Sequence, residues 1–260
     1  MKNAYYIMKK ELRSYFSSPV AYIVAGIFLS ISGYFFYTIL TFFTMLSLQY
    51  QQSPYGYMMR NINMNDYLLN PLYSNLGVIL LFVVPMITMR TLAEEKKLGT
   101  LELLYTSPIR IGEIIFGKFL AAFVVLLVML LPTIEYPIVL ILGGVPGPET
   151  GPIFTTYIGI ILLGASFIAV GVFASSVTEN QMVAGSLAFG ILLLLFVIGW
   201  ARQSTGSTLS EILSYLSLVE EHYHNFLKGM IDTKDIIFYL TFIFFGLFLA
   251  HRTLESRRWR

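Results

Sequence analysis

The chain has 260 residues, of which 56% are hydrophobic and only 12% charged, with a formal net charge of +2 and no cysteine. Soluble domains carry about 25% charged residues, so this composition is that of an integral membrane protein. The small net charge argues against a nucleic-acid partner, and the lack of cysteine excludes disulfides, thiol catalysis and Cys-based zinc or iron–sulfur sites.

A helical span needs roughly 20 apolar residues. Six stretches qualify: 20–42, 73–89, 119–142, 153–177, 181–200 and 236–251. The expected fold is an all-α integral membrane protein with six transmembrane helices in a single transmembrane domain over 1–260. The first run is too long for a signal-peptide core, and no small-residue cleavage site follows it.

Before that run, Tyr5, Met8, Leu12, Tyr15 and Phe16 recur at helical steps, while Lys9, Lys10 and Arg13 point elsewhere. This pattern predicts an amphipathic helix over 1–18 that lies along the lipid headgroups; a plain flank of the first span is the alternative. Ser18-Pro19 ends it. Residues 43–72 hold Gln49, Gln51, Gln52, Asn61, Asn63, Asn65 and Asp66 and read as a solvated loop with some helix. Pro85 is expected to kink span two.

Residues 90–118 contain the densest polar island, from Glu94 to Pro108. Gly99 suits the left-handed turn that stops a helix. Thr100 is placed to cap a short helix through Leu104, and Ser107-Pro108 to restart helix afterwards. A short helix with charge on one side and leucine on the other, held across two span ends, is a docking element. Gly112-Glu113-Ile114-Ile115-Phe116-Gly117-Lys118 matches the first seven positions of a phosphate-binding P-loop. The match fails, because Phe119 stands where Ser or Thr must reach magnesium, no strand precedes it, and the segment runs into a span.

Span three is interrupted by Pro132 and Pro137, with Glu135 between them. An ionisable residue within a span is a functional candidate by default. At 1.5 Å per residue from Lys118, Glu135 lies roughly 25 Å up, near the far boundary of the hydrocarbon, so packing at a helix break is the competing reading. Residues 143–152 form a Gly- and Pro-rich turn. Ala184/Ala188 and Ser186/Gly190 in span five, and Gly26/Ser30 in span one, are small-xxx-small pairs and candidates for a dimer interface. In the segment 201–235, Leu209, Ile212, Leu213, Leu216, Tyr223, Phe226 and Leu227 follow helical spacing, predicting amphipathic helices on or in the leaflet. His222 and His224 offer two metal ligands, and an alternative reading joins them with Glu135 in a membrane enzyme or metal site. No further ligand pair is evident, and a solvated polar face is the plainer reading.

Of the 17 Lys and Arg residues, only Arg60, Arg202, Lys228 and Lys234 fall on the side opposite the termini. The positive-inside rule therefore places both termini and the polar island in the cytoplasm. There is no His-Glu-x-x-His motif and no Gly-x-Ser-x-Gly elbow, so the driving energy is expected from another subunit.

Glu94-Glu95-Lys96-Lys97-Leu98-Gly99-Thr100-Leu101-Glu102-Leu103-Leu104, followed by Thr106-Ser107-Pro108-Ile109, resembles the cytoplasmic loop of type-2 ABC exporter permeases. The stretches 228–232 and 252–260 are similar to the subgroup associated with gliding motility, with the nitrous-oxide-reductase maturation permeases as close relatives. The resemblance implies a half-transporter of the bacterial inner membrane that is not itself an enzyme. It would pair with a second permease copy, as a homodimer or heterodimer, and with two ATPase subunits that bind ATP and Mg. It makes the short helix a coupling helix, with Glu94, Glu95, Lys97, Gly99, Thr100, Leu101, Glu102 and Leu103 as contacts. It also makes the N-terminal helix an elbow helix and the segment 201–235 re-entrant. Spans one, two and five would line the dimer interface and pathway. A mechanical or maturation role driven by the same ATPase fits these features equally well.

Overall fold

The computed structural model describes residues 2–52, 63–101, 109–143, 147–199, 215 and 217–258. Helix α1 (Lys2–Ser17) is followed by α2 (Pro19–Gln52), α3 (Asn70–Thr88), the short α4 (Ala93–Lys97), α5 (Ile111–Leu130), α6 (Glu135–Gly143), α7 (Thr150–Val177), α8 (Gln181–Ile198), the one-turn α9 (His224–Leu227) and α10 (Thr233–Arg258). Among the described residues there is no strand. Helices are the expected solution, because hydrocarbon offers no partner to a backbone N–H or C=O left unpaired. Among the described residues, six helical segments are long and apolar enough to cross a membrane.

Helix α7 is the axis of the molecule and packs against α3, α5, α8 and α10. The crossings are close because α7 presents glycine. A Cβ on Gly171 would lie 2.0 Å from Thr88 Oγ1, one on Gly164 would lie 2.4 Å from Leu126 Cδ2, and one on Gly159 would lie 2.6 Å from Phe226 Cβ. Without a hydrophobic driving force between helices in lipid, such close backbone approach is what allows van der Waals packing to hold them.

The break in span three is as expected. Pro132 opens a 3-10 turn, Leu131–Ile134, between α5 and α6. Proline at Pro85 leaves α3 unbroken as a helix. The polar stretch after span one departs from expectation: α2 runs 34 residues to Gln52 rather than ending near residue 42. No Gly or Pro interrupts it after Gly33. The hydroxyls of Thr41, Thr44 and Ser47 donate back to the carbonyls of Tyr37, Thr41 and Thr44, so these three hydroxyls are satisfied within the helix.

The segment before span six is also more buried than its spacing indicates. A π-helical turn, Leu218–Tyr223, leads into α9. The Tyr223 hydroxyl donates to the Tyr73 carbonyl at 3.0 Å, Tyr239 to that of Leu218 at 2.6 Å, and Thr155 to that of Phe226 at 2.8 Å. The segment is thereby wedged between α3, α7 and α10. Leu209, Ile212, Leu213 and Leu216 lie outside the described residues.

Helix α1 lies against α5. Its inner face is Ala4, Ile7 and Glu11, while Tyr5 and Phe16 of the expected apolar face point outward. The reason is Gly117, where an added Cβ would meet the Ala4 carbonyl at 2.8 Å and Ile7 Cβ at 2.9 Å. The glycine of the P-loop-like match is thus a helix-crossing point inside α5, not a phosphate cradle.

Candidate functional site

The polar island forms a braced platform at the end of α3. Helix α4 has only five residues, too short to hold itself by backbone bonds. Its first N–H groups have no intrahelical partner, and Ser175 of α7 supplies one. The Ser175 hydroxyl accepts from the N–H groups of Leu92 and Ala93, each at 3.0 Å, and donates to the Met89 carbonyl at 3.1 Å. Lys96 donates to the Ser176 carbonyl. The opposite end stops as expected at Gly99, whose φ is +68°, with Leu98 N–H on the Glu94 carbonyl and Gly99 N–H on that of Lys96. Thr100 does not cap from outside a new helix. Its backbone is already helical, and its hydroxyl donates to the Glu95 carbonyl at 3.3 Å, closing the end of α4 instead.

Beneath α4 sits a buried ionic node. Lys118 of α5 is 1% exposed. Its ammonium lies 2.8 Å from Glu11 Oε1 of α1, 3.0 Å from Glu95 Oε2 of α4 and 2.6 Å from the Thr91 carbonyl. The Glu95 contact is ionic rather than a well-aligned hydrogen bond. Lys10 approaches the other Glu95 oxygen at 3.5 Å, so the node holds two cations and two carboxylates. Next to it the Tyr15 hydroxyl donates to the Ile87 carbonyl at 3.0 Å; burial, with the Glu11 carboxylate adding to it, pushes its pKa far up, and it stays a neutral donor. Arg90 pairs with Glu94 at 3.2 Å and reaches Ser18 Oγ at 3.4 Å. Helices α1, α3, α5 and α7 are therefore all tied to α4.

The residues named from sequence divide by direction. Lys97, Gly99 and Thr100 are exposed with Leu98, which is 67% exposed, and Glu94 is half-buried. Glu95 and Leu101 turn inward. Glu102 and Leu103 lie outside the described residues, as do Leu104, Ser107 and Pro108. Sequence reading missed Lys118, Glu11 and Ser175 as parts of this unit. The signals were present: a lysine flanked by Gly117 and Phe119 in an apolar helix, and a glutamate on the inner side of α1. Replacing Ser175 by alanine is expected to cost about 1 kcal/mol, the usual cost of losing a helix cap. Amide exchange at Ala93 is the measurement, with roughly fivefold faster exchange expected.

The other candidates are not brought to this site. Glu135 opens α6 and is exposed, and among the described residues no hydrogen bond or ion pair to its carboxylate is found. His222 is not on a solvated face. It is fully buried, with Nδ1 2.7 Å from Asp235 Oδ1 and Nε2 3.1 Å from the Tyr215 carbonyl, and it stacks on Phe238 at 3.8 Å. Asn225 donates to the second Asp235 oxygen at 2.9 Å. Both ring nitrogens are thus engaged by protein atoms, which ties the segment before span six to α10 and leaves no lone pair for a metal. His224 is exposed at the surface; partial desolvation of its ring, then the Lys228 ammonium, hold its pKa below the usual value. Among the described residues no group of three His, Asp or Glu side chains is placed to share a metal ion. Ala184 and Ala188 are fully buried within the chain, where α8 packs on α3 and α7, so this pair is not an open interface. Gly26, Ser30 and Ser186 are exposed and Gly190 is partly so.

Residues 5–248 match the family described as ABC-2 family transporter protein. No match was found among curated proteins.

Proposed function

The chain belongs to the ABC-2 transporter family as its membrane-embedded component, and from that premise we propose that α4 and the turn after it are the element through which a separate ABC ATPase moves the spans. One observation carries the proposal. The inner side of α4 is anchored to α1, α5 and α7 through Lys118, Glu11 and Ser175, while Lys97, Leu98, Gly99 and Thr100 stand exposed. A push on that edge reaches three helices at once. Closed cores respond to such a push by rigid-body displacement rather than by bending.

In the working complex two permease copies pair with two ATPase subunits, which hold ATP and Mg. It sits in the bacterial inner membrane with both termini and α4 in the cytoplasm, the side favoured by its Lys and Arg distribution. The cycle exports its cargo by switching between inward- and outward-open states, which requires the cargo to bind those states unequally. Gly26/Ser30 and Ser186/Gly190 remain available on outward faces for the second copy.

The test is ATP turnover by the reconstituted permease–ATPase complex. Gly99→Pro forces φ to about −65°, where the native value is +68°, and it is expected to lower turnover at least tenfold while the chain still inserts. Charge reversal at Glu94 and Glu95 is expected to act in the same direction. Turnover equal to that of the unmodified complex in all three variants rules the proposal out.

A further inference from the structure

We propose that the outward face of α1 is a docking surface for the anionic headgroups of the bilayer. Lys2, Tyr5, Tyr6, Lys9, Arg13 and Phe16 are all exposed, Tyr5 at 56%, Tyr6 at 67% and Phe16 at 41%. At 3.6 residues per turn they share about a third of the helix circumference. That stripe lies opposite Ala4, Ile7 and Glu11, the residues turned toward α5. The fold therefore presents aromatic rings and cations together on one face, where the sequence pattern alone suggests an apolar side and a separate basic side.

The stripe is sorted by charge. Glu11, the one acidic residue of α1, is turned inward, its Oε1 2.8 Å from the Lys118 ammonium. Lys10, at the edge of the stripe, approaches Glu95 at 3.5 Å and belongs to the node. Lys2, Lys9 and Arg13 have no ion-pair partner among the described residues. Position then indicates what covers them. Ser18 alone separates α1 from α2, the first of the apolar spans. Tyr22, in the first turn of that span, donates to the Phe16 carbonyl at 3.0 Å, and the two rings lie 6.5 Å apart. One end of the stripe is thus fixed where the chain enters hydrocarbon. Aromatic rings settle at headgroup level, and Lys and Arg stems run along apolar surface while their charged heads stay in the polar layer. A neutral headgroup layer would satisfy the rings; three unpaired cations select an anionic one. A second copy of the chain packed here about a two-fold axis would bring the same cations against each other.

The experiment uses the full-length chain, one per nanodisc, in phosphatidylcholine alone or with roughly 30% phosphatidylglycerol, a content that charges the surface without changing its chain composition. The chain has no cysteine, so a nitroxide on Tyr6→Cys reports on one position of the stripe. Its collisions with a neutral nickel chelate are measured at low salt. Accessibility is expected to be at least threefold lower in the anionic discs, and 1 M NaCl, where the Debye length is about 3 Å, should restore it. The triple change Lys2→Gln, Lys9→Gln and Arg13→Gln breaks no ion pair among the described residues and should remove the difference between the two lipids. A nitroxide on Met230→Cys, away from the stripe, should read the same in both. Equal accessibility at position 6 in the two lipids overturns the proposal. So does protection in both lipids that neither salt nor the triple change alters, which shows apolar insertion without charge selection. An equal change at position 230 shows a general property of the anionic disc and likewise overturns it. Protection that appears only when the ATPase subunit is added assigns the stripe to that partner instead.

Discussion

Lys118→Met is expected to destabilise the folded chain by about 3–5 kcal/mol, the range for breaking a buried ion pair from one side. The ammonium is the cation closest to two carboxylates, 2.8 Å from Glu11 and 3.0 Å from Glu95. Removing it leaves both in a site that is nearly closed to water, with Lys10 3.5 Å from Glu95 as partial compensation. It also leaves the Thr91 carbonyl without its 2.6 Å donor. Loss of the alkyl chain is not the cause, because methionine fills similar volume. Neutralising the whole unit should therefore restore most of the stability: a buried charged triad replaced by uncharged groups is often close to neutral. Reversible unfolding in mixed micelles is the measurement, comparing Lys118→Met with the triple variant that adds Glu11→Gln and Glu95→Gln. A full rescue of stability without rescue of ATP turnover in the assembled complex separates the node's role in transmission from its role in folding.

Gly171→Ala is expected to cost about 1–3 kcal/mol or more, the range for forcing extra volume into a packed core. The added methyl would lie 2.0 Å from Thr88 Oγ1 and 2.6 Å from Thr88 Cβ. Thr88 cannot rotate away freely, because it is fully buried and its hydroxyl donates to the Val84 carbonyl at 2.9 Å. The strain has to be relieved by moving α3 away from α7. One turn further along α7, Ser175 holds the start of α4, so the same displacement loosens α4. Gly190→Ala is the control. No atom lies within 4 Å of its added methyl, and its stability should stay within about 0.5 kcal/mol of the unmodified chain. Thermal unfolding of the three proteins in one detergent decides the comparison.

What could be read from the amino-acid order follows from the range of each interaction. The six spans were legible because every apolar run of that length must close its own backbone hydrogen bonds. Gly99 was legible because a left-handed turn is a local requirement, met at φ +68°. The break at Pro132 was legible for the same reason. The rest depends on which helix faces which. Glu11 and Lys118 are 107 positions apart, and Ala93 and Ser175 are 82 apart. Periodicity says nothing about such pairings. His222 was misplaced on a wet face because its partner Asp235 lies 13 positions on, in the next helix. The small residues of span five drew attention through their spacing as an outer interface, yet Ala184 and Ala188 pack inside the chain, and α7 makes its own close contacts through Gly159, Gly164 and Gly171. Small residues matter where another helix crosses them, and the crossing is a property of the tertiary fold.

On the proposed function, the edge from Lys97 to Thr100 seats in the partner ATPase. The chain has no cysteine, so a single introduced thiol reports on one position. Leu98→Cys places it on an exposed side chain of that edge, 67% exposed, and Met230→Cys, 51% exposed in the native residue, places a control at the far end of the molecule. Maleimide labelling of each variant is measured with and without the ATPase subunit. Labelling at position 98 is expected to be at least tenfold slower when the ATPase is bound, with position 230 unchanged. Equal labelling rates at position 98 in the bound and free states would contradict it.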